Sequence, residues 1–357
     1  MKIGLVSNCF GIFVEKFISG MQKNGAVFSS ISIMKGIKGQ KKSTVRKIFD
    51  YTILHFSILY NLLFKNSDII YVHFPLQTAP VMYFVGFFSA RRMILNFHGS
   101  DLFTKTAFAA MLQFFTKKLA EGADLIVVPS DSIRDAVMKK FGITEQKIFI
   151  SPSSGIDFDV FNRENTRPSI SRKYIAGFVS RIDTGKGWET FIYAVNELKK
   201  SGLKDGRKFL MIGKGSEDDR KFKMIEEMGL NDLIEVKGRI ERKDLHEYYR
   251  ELGVFVFPSL REGLGLVGLE AMACGVAVIG SRTEGISSYL KDGVNGFFFE
   301  PGDHVDLAGK IMKFVNLTQL EKMRMEEKAF DTAIEYEENR VGIELFKKIE
   351  KTAFPWK

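Results

Sequence analysis

From Val254 to Cys274 the chain reads V-F-V-F-P-S-L-R-E-G-L-G-L-V-G-L-E-A-M-A-C, which leaves a polypeptide little choice of fold. The apolar run Val254 to Phe257 predicts a strand, Pro258-Ser259 ends it, and Leu266 to Cys274 has the spacing and residue types of a helix. A strand, a glycine-rich loop and a helix in that order aim the free N–H groups and positive dipole end of the helix at whatever occupies the loop. Gly263 and Gly265 let a ligand come close to the backbone, and the natural occupant is a phosphate. Glu262 and Glu270 bracket the turn. A carboxylate repels phosphate but accepts hydrogen bonds from neighbouring hydroxyls, so the pair suits a ligand with hydroxyls at both ends and phosphate in the middle. A nucleotide-diphosphate sugar has that layout.

Two other readings fit the same residues. Gly263-x-Gly265-x-x-Gly268 matches the G-x-G-x-x-G dinucleotide pattern, and the strand expected at Val276 to Gly280 is followed by Arg282 and Glu284, where an NADP or NAD reader would sit. The stretch also serves as a plain strand-to-helix connection with no ligand.

Other blocks narrow the choice. E-G-L-G-L-V-G-L-E followed by A-M-A-C-G-V-A-V-I-G resembles the E-x7-E signature of retaining glycosyltransferases of the GT-B fold, family 4, and D-G-V-N-G-F-F-F-E-P-G-D (Asp292 to Asp303) is similar to that family's next block. The resemblance implies an α/β fold of two Rossmann-like domains whose parallel sheets face each other across a cleft, with the C-terminal helix returning to the first domain. Residues 1–165, completed by about 336–357, would form the acceptor side, and 166–335 the donor side. Arg181 and Lys186 match the family's R-x4-K pair on the leaving diphosphate; an arginine binds such oxygens in a fork and a lysine adds a point charge. Glu262 and His98 would then hold the transferred sugar and Glu270 the ribose. Gly263, Leu264, Gly265, Leu266 and Val267 would line the diphosphate, and the turns containing Gly213 and Arg239 would flank the base. His98-Gly99-Ser100-Asp101 falls where a strand ends, with Asp101 on the acceptor side. Gly11 is what this chain has of the family's glycine-rich first loop. After Gly280 the family's G-G-I-P-E pattern is replaced by Thr283 to Ser288.

The function these parts imply is retaining transfer of a hexose-type sugar from a UDP-sugar, favoured over a GDP-sugar, to a hydroxyl of a glycan or lipid-linked glycan in cell-surface polysaccharide synthesis. No metal and no cofactor beyond the sugar nucleotide is expected, because arginine, lysine and a helix dipole supply the positive charge. Asp157-x-Asp159 is read as linker. The alternatives are a catalytically silent partner protein of the same fold, a nucleotide-sugar epimerase and an NADP-dependent oxidoreductase.

Charge separates the two halves. Residues 1–165 carry 20 Lys+Arg against 12 Asp+Glu, and the remainder 32 against 31. A basic, phenylalanine-rich first half points to an anionic membrane surface or a pyrophosphate-bearing acceptor, and no nucleic-acid motif accompanies it. Lys35 to Lys47 is expected as a surface loop. Val45 to Phe64 is expected as an amphipathic helix, facing either the core or a membrane, with His55 structural. Further helices are expected at Ala79 to Ala90 and Thr104 to Leu119, and Arg163 to Arg172 as the hinge. Cys9 and Cys274 form no disulfide framework, the N-terminus reads as a first strand without a cleavable signal, and a cytoplasmic protein, peripheral on the inner membrane face, is the expected setting.

Overall fold

The computed structural model describes residues 1–8, 11–34, 44–86, 91–99, 101–102, 107–203 and 205–356. They form two compact units, Met1–Gly155 with Glu338–Lys357, and Ile156–Glu337.

The first unit is built on six strands, β1 (Lys2–Ser7), β2 (Val27–Ile33), β3 (Ile69–His73), β4 (Arg92–Asn96), β5 (Leu125–Val128) and β6 (Ile148–Ile150). Their order is β2-β1-β3-β4-β5-β6, and every pairing is parallel. Parallel strands covered on both faces need unbroken apolar runs, and I-I-Y-V-H and L-I-V-V, buried throughout, supply them. The connecting helices are α1 (Ile12–Lys23), α2 (Thr44–Phe64), α3 (Ala79–Gly86), α4 (Ala107–Gly122) and α5 (Asp131–Phe141). Leu54, Ile58 and Leu62 of α2 join Met82, Leu119 and Val137 in the core on one face of the sheet. Val14, Phe17 and Met21 of α1 cover the other face.

The sequence reading contains no strand at Val27–Ile33. In V-F-S-S-I-S-I serine breaks up the apolar residues, because this is an edge strand with a single neighbour. The loop expected over 35–47 ends earlier than anticipated, since α2 begins at Thr44; residues 35–43, like 87–90 and 104–106 of the next two expected helices, lie outside the described residues.

The second unit has β7 (Tyr174–Val179), β8 (Lys208–Ile212), β9 (Ile234–Lys237), β10 (Leu252–Phe257), β11 (Val278–Ser281) and β12 (Gly296–Phe299), all parallel in the order β12-β11-β10-β7-β8-β9. Its helices are α6 (Trp188–Lys200), α7 (Asp218–Glu227), α8 (Leu245–Tyr249), α9 (Leu266–Ala273), α10 (Glu284–Ser287), α11 (His304–Val315) and α12 (Gln319–Ile334). The last helix, α13 (Glu338–Ala353), belongs to the first unit, where Leu345, Ile349 and Ala353 enter the core beside α1. A return of the C-terminal helix to the first domain is therefore observed.

Arg163 to Arg172 is not the hinge its polar composition suggests. Arg172 is 2% exposed, donates to the carbonyls of Arg167, Leu252 and Gly275, and pairs with Glu326 at 3.1 Å. A guanidinium with its donors satisfied by carbonyls and a carboxylate can be buried, and this one ties the segment to the second unit. Residues 156–165, assigned to the first half from the sequence, also belong there.

Candidate functional site

In the second sheet the chain runs outward from β7 to β9, then returns to start a second run at β10 on the other side of β7. The strand order therefore reverses between β7 and β10, and the crevice beyond the carboxyl ends of such a strand pair is where open α/β sheets bind ligands. The loop after β7 carries Arg181 and Lys186; the loop after β10 carries Glu262 to Gly265. They are joined. Lys186 Nζ donates to Glu262 Oε2 at 2.9 Å, and Leu260 N–H donates to the Gly185 carbonyl at 2.9 Å.

Close packing explains two of the glycines. Gly187 sits at φ 72, and a Cβ there would overlap the Pro258 carbonyl oxygen, so the two loops can meet only without a side chain. Gly265, the N-cap of α9 at φ 86, would drive a Cβ into the Phe257 ring. The helix thus starts with its first amide groups beside the loop that holds Glu262, and Gly263, Leu264, Leu266 and Val267 surround that start.

Asp183 pairs with Arg181 at 2.8 Å and accepts from Ser216 N–H and Oγ–H at 2.9 Å. The Ser216 backbone bond, then its hydroxyl, then Arg181 and Lys186 hold the Asp183 carboxyl below its ordinary range. This carboxylate links the β7 loop to the Gly213-to-Ser216 turn after β8. Arg181 is itself open, with its side chain 73% exposed, so it is available to a ligand. Arg239, after β9, is 62% exposed and lies 4.0 Å from Glu241.

Glu270 stands apart from this open set. It is 2% exposed; Oε1 accepts from Arg242 Nε at 2.6 Å and Oε2 from the Tyr249 hydroxyl at 3.2 Å. Burial and the neighbouring Glu270 raise the Tyr249 pKa well above its usual value, so the phenol remains a donor. Each carboxylate oxygen keeps a second lone pair, which is the capacity a ribose hydroxyl would use. Sequence reasoning missed Arg242 and Asp183, since nothing in the local pattern marks that Arg242 meets Glu270, 28 positions away, or that Asp183 meets Ser216, 33 positions away.

In the replaced segment after β11, α10 brings Gly285 against the Glu262 carbonyl, where a Cβ would overlap it. The loop therefore supports Glu262 without the proline and glutamate of the expected pattern. Asp157 accepts from the Asp159 N–H at 3.2 Å in a local turn.

In the first unit, Gly11 is the N-cap of α1 in an extended conformation, with Cys9 and Phe10 outside the described residues. His98 and Asp101 are brought together: the Asp101 carboxylate, 2% exposed, accepts from the His98 backbone N–H at 2.9 Å. Burial pushes the Asp101 pKa up to about 7 against that bond, and burial brings the His98 imidazole down to about 3. Asp101 thus shapes the loop that carries His98, and is not presented outward as an acceptor-side group. Beside His98 lies a cavity of about 360 Å³ bordered also by His73, Asn96, Ser154, Phe13 and Glu338.

The family model described as Glycosyl transferases group 1 matches residues 162–331, and the one described as Glycosyltransferase Family 4 matches residues 39–159. A D-inositol 3-phosphate glycosyltransferase of Paenarthrobacter aurescens is 28% identical over 201 residues, 53% of this chain and 49% of that protein. The capsular polysaccharide biosynthesis glycosyltransferase CapM of Staphylococcus aureus is 28% identical over 62% of this chain and 60% of its own length. The matches thus span about half to three-fifths of these relatives. Among solved structures, sucrose-phosphate synthase from Thermosynechococcus elongatus superimposes with a TM-score of 0.81 at 17% identity, covering 100% of both chains. Anabaena Alr3699/HepE, solved in complex with UDP and glucose, gives 0.76 at 16% identity, covering 98% of this chain and 100% of that one. With two parallel six-stranded sheets, the fold is GT-B.

Proposed function

We propose, for a chain that belongs to the glycosyltransferases of the group 1 and family 4 type, that it moves a hexose-type sugar from a nucleotide-diphosphate sugar to a hydroxyl of a glycan or lipid-linked glycan, with retention of configuration. The observation that carries this reading is the junction of Lys186 and Glu262 at the reversal of the second sheet, next to the first turn of α9. Cations and helix amides suit a diphosphate, and a carboxylate within reach suits sugar hydroxyls.

In the reaction, the bond from the anomeric carbon to the diphosphate oxygen breaks and a bond to the acceptor oxygen forms on the same face. The acceptor's proton passes to the departing diphosphate. Arg181, Lys186 and the amides after Gly265 stabilise the charge that grows on that group, which is a major term in catalysis of this kind. Their positive charge balances the leaving group without a divalent ion. Glu262 and His98 orient the sugar, and Glu270, presented by Arg242 and Tyr249, takes the ribose. UDP is favoured over GDP; support comes from the Anabaena structure, solved with UDP and glucose, and a polysaccharide acceptor is supported by the resemblance to CapM.

The acceptor side is read as lying on an anionic membrane. No described helix is long and apolar enough to cross one. Yet α2 is apolar on two faces: while Leu54, Ile58 and Leu62 enter the core, Phe49, Phe56, Tyr60 and Phe64 are 55–70% exposed. Arg46 and Lys65 at its ends are exposed too. Aromatic rings flanked by cations match an interfacial surface of anionic lipid.

A thermal-shift panel of UDP, GDP, CMP, NAD and NADP tests the donor site, because a ligand of the folded state raises Tm by mass action. Stabilisation by UDP that is lost in Lys186→Ala supports the reading. Stabilisation by NADP alone overturns it in favour of an oxidoreductase. Turnover of a UDP-sugar without any acceptor points to an epimerase, and binding without turnover to a silent partner protein.

A further inference from the structure

His73 ends β3 and His98 follows β4, the strand paired with it. Their rings meet edge to edge, with His73 Nδ1 3.0 Å from His98 Nε2. Phe74 adopts φ 53, a left-handed backbone that a bulky residue rarely takes, and lays its ring over His98 with the centroids 4.0 Å apart. Phe17 meets the His73 ring edge-on at 4.8 Å. His98 is therefore held both in its plane and across its face.

The proton count of the pair is constrained. Burial keeps both imidazoles neutral, so each ring carries one proton. One of the two facing nitrogens must donate to the other. His73 is 2% exposed, and its Nε2 is sealed without a partner. Were His98 the donor, the His73 proton would sit on that sealed nitrogen as an unpaired buried N–H, a rarer arrangement in folded proteins than an unpaired acceptor. With His73 as the donor, Nδ1–H is used and only a lone pair is left alone. His98 Nε2 then accepts, and the His98 proton lies on Nδ1, which has no partner among the described residues.

We propose that His73 is a positioning residue that fixes His98 in its Nδ1–H tautomer, making His98 a preset hydrogen-bond donor to an oxygen of the sugar and not a proton acceptor. The ligand half rests on the reading of His98 as a sugar contact; the tautomer half stands on this geometry alone. In this arrangement His98 cannot act as the base that deprotonates the acceptor hydroxyl, since its only basic nitrogen is occupied by His73.

Imidazole ¹⁵N NMR of the unliganded full chain reads the tautomer directly; five histidines make the spectrum assignable with single variants. The expected result is a protonated Nδ1 and an unprotonated Nε2 on His98. In His73→Leu the His98 signals collapse to an average of both tautomers, while in His73→Asn, whose amide can donate from the same place, they are kept. Transfer from UDP-glucose falls about 10-fold or more in His73→Leu with KM unchanged, as for loss of one aligned donor, and is kept in His73→Asn. A wild-type His98 protonated on Nε2 overturns the proposal without recourse to any variant, as does a His73→Leu protein with an unaltered His98 tautomer. Full transfer by His98→Ala overturns the ligand half and the sugar contact together, leaving the tautomer assignment to the spectrum.

Discussion

Lys186 Nζ and Glu262 Oε2 lie 2.9 Å apart although the residues are 76 positions apart in the chain. The cation proposed for the diphosphate is thus paired, before any ligand, with the carboxylate proposed for the sugar. Both groups are about a fifth to a quarter exposed, so the pair itself adds little to stability. Lys186→Ala is expected to fold normally, to lose the UDP-induced rise in Tm, and to lower kcat/KM about 100-fold. Steady-state kinetics beside differential scanning fluorimetry checks both halves.

The Arg242–Glu270 pair should behave in the opposite way. Glu270 is enclosed, so Arg242→Ala leaves a buried carboxylate with the Tyr249 hydroxyl alone. A loss of up to about 3 kcal/mol is expected, below the full value for a buried pair because Arg242 is a quarter exposed. Urea denaturation measures it; a change under about 0.5 kcal/mol, the range of an ordinary surface substitution, would remove Glu270 from the set of structurally held carboxylates.

Gly187→Ala is expected to cost about 2 kcal/mol or more, since the added methyl overlaps Pro258 and the backbone is left-handed. Gly142→Ala is the control. It has the same φ of 72 with open space around it, so only about 1 kcal/mol is expected. Equal denaturation midpoints for the two variants would sink the claim that the β7 and β10 loops are locked there.

Asp101 gives the pH dependence. Its pKa rises on folding from 3.8 to about 7, so the native state holds the proton more tightly and this contribution to stability fades as pH rises through that window. Asp101→Asn keeps an acceptor for the His98 N–H and cannot ionise. The Tm of the variant minus that of the wild type should grow by about 3 °C or more between about pH 5 and pH 7, then level off. The paired histidines run the other way, losing stability on acidification below about 6.5, but they are common to both proteins and cancel in the difference.

On α2, Phe56→Ser and Phe64→Ser should each weaken binding to phosphatidylserine vesicles about 10-fold, the effect of withdrawing a phenyl ring from apolar contact. Sedimentation with these vesicles, repeated in high salt, checks it. Binding unchanged by either substitution, or a dimer that dissociates on substitution, would assign the face to something other than lipid.

Much of this was legible because local pattern and tertiary role coincide. V-F-V-F, the glycine loop and L-V-G-L-E-A-M-A-C each declare strand, turn and helix without help from distant residues, and they form β10 and α9 as read. The edge strand β2 was not legible, since its serines remove the apolar signal that a two-sided strand carries. Arg172 was misread for a related reason: a charged residue in a polar stretch looks solvated until carbonyls from Leu252 and Gly275 close around it. The pairings of Arg242 with Glu270 and of His73 with His98 depend on which loops become neighbours. That follows from strand order, which no local window contains.

The return of α13 also dictates a schedule for synthesis. The second unit is one uninterrupted stretch, whereas the first waits for Leu345, Ile349 and Ala353 to fill the core beside α1. At roughly 5–20 residues per second, the ribosome exposes the first 155 residues for on the order of ten seconds or more before those side chains emerge. Throughout that interval the nascent chain presents a sheet face only partly covered, by α1 without α13, so the part translated first is the part completed last, and the interval is when a chaperone has most to protect.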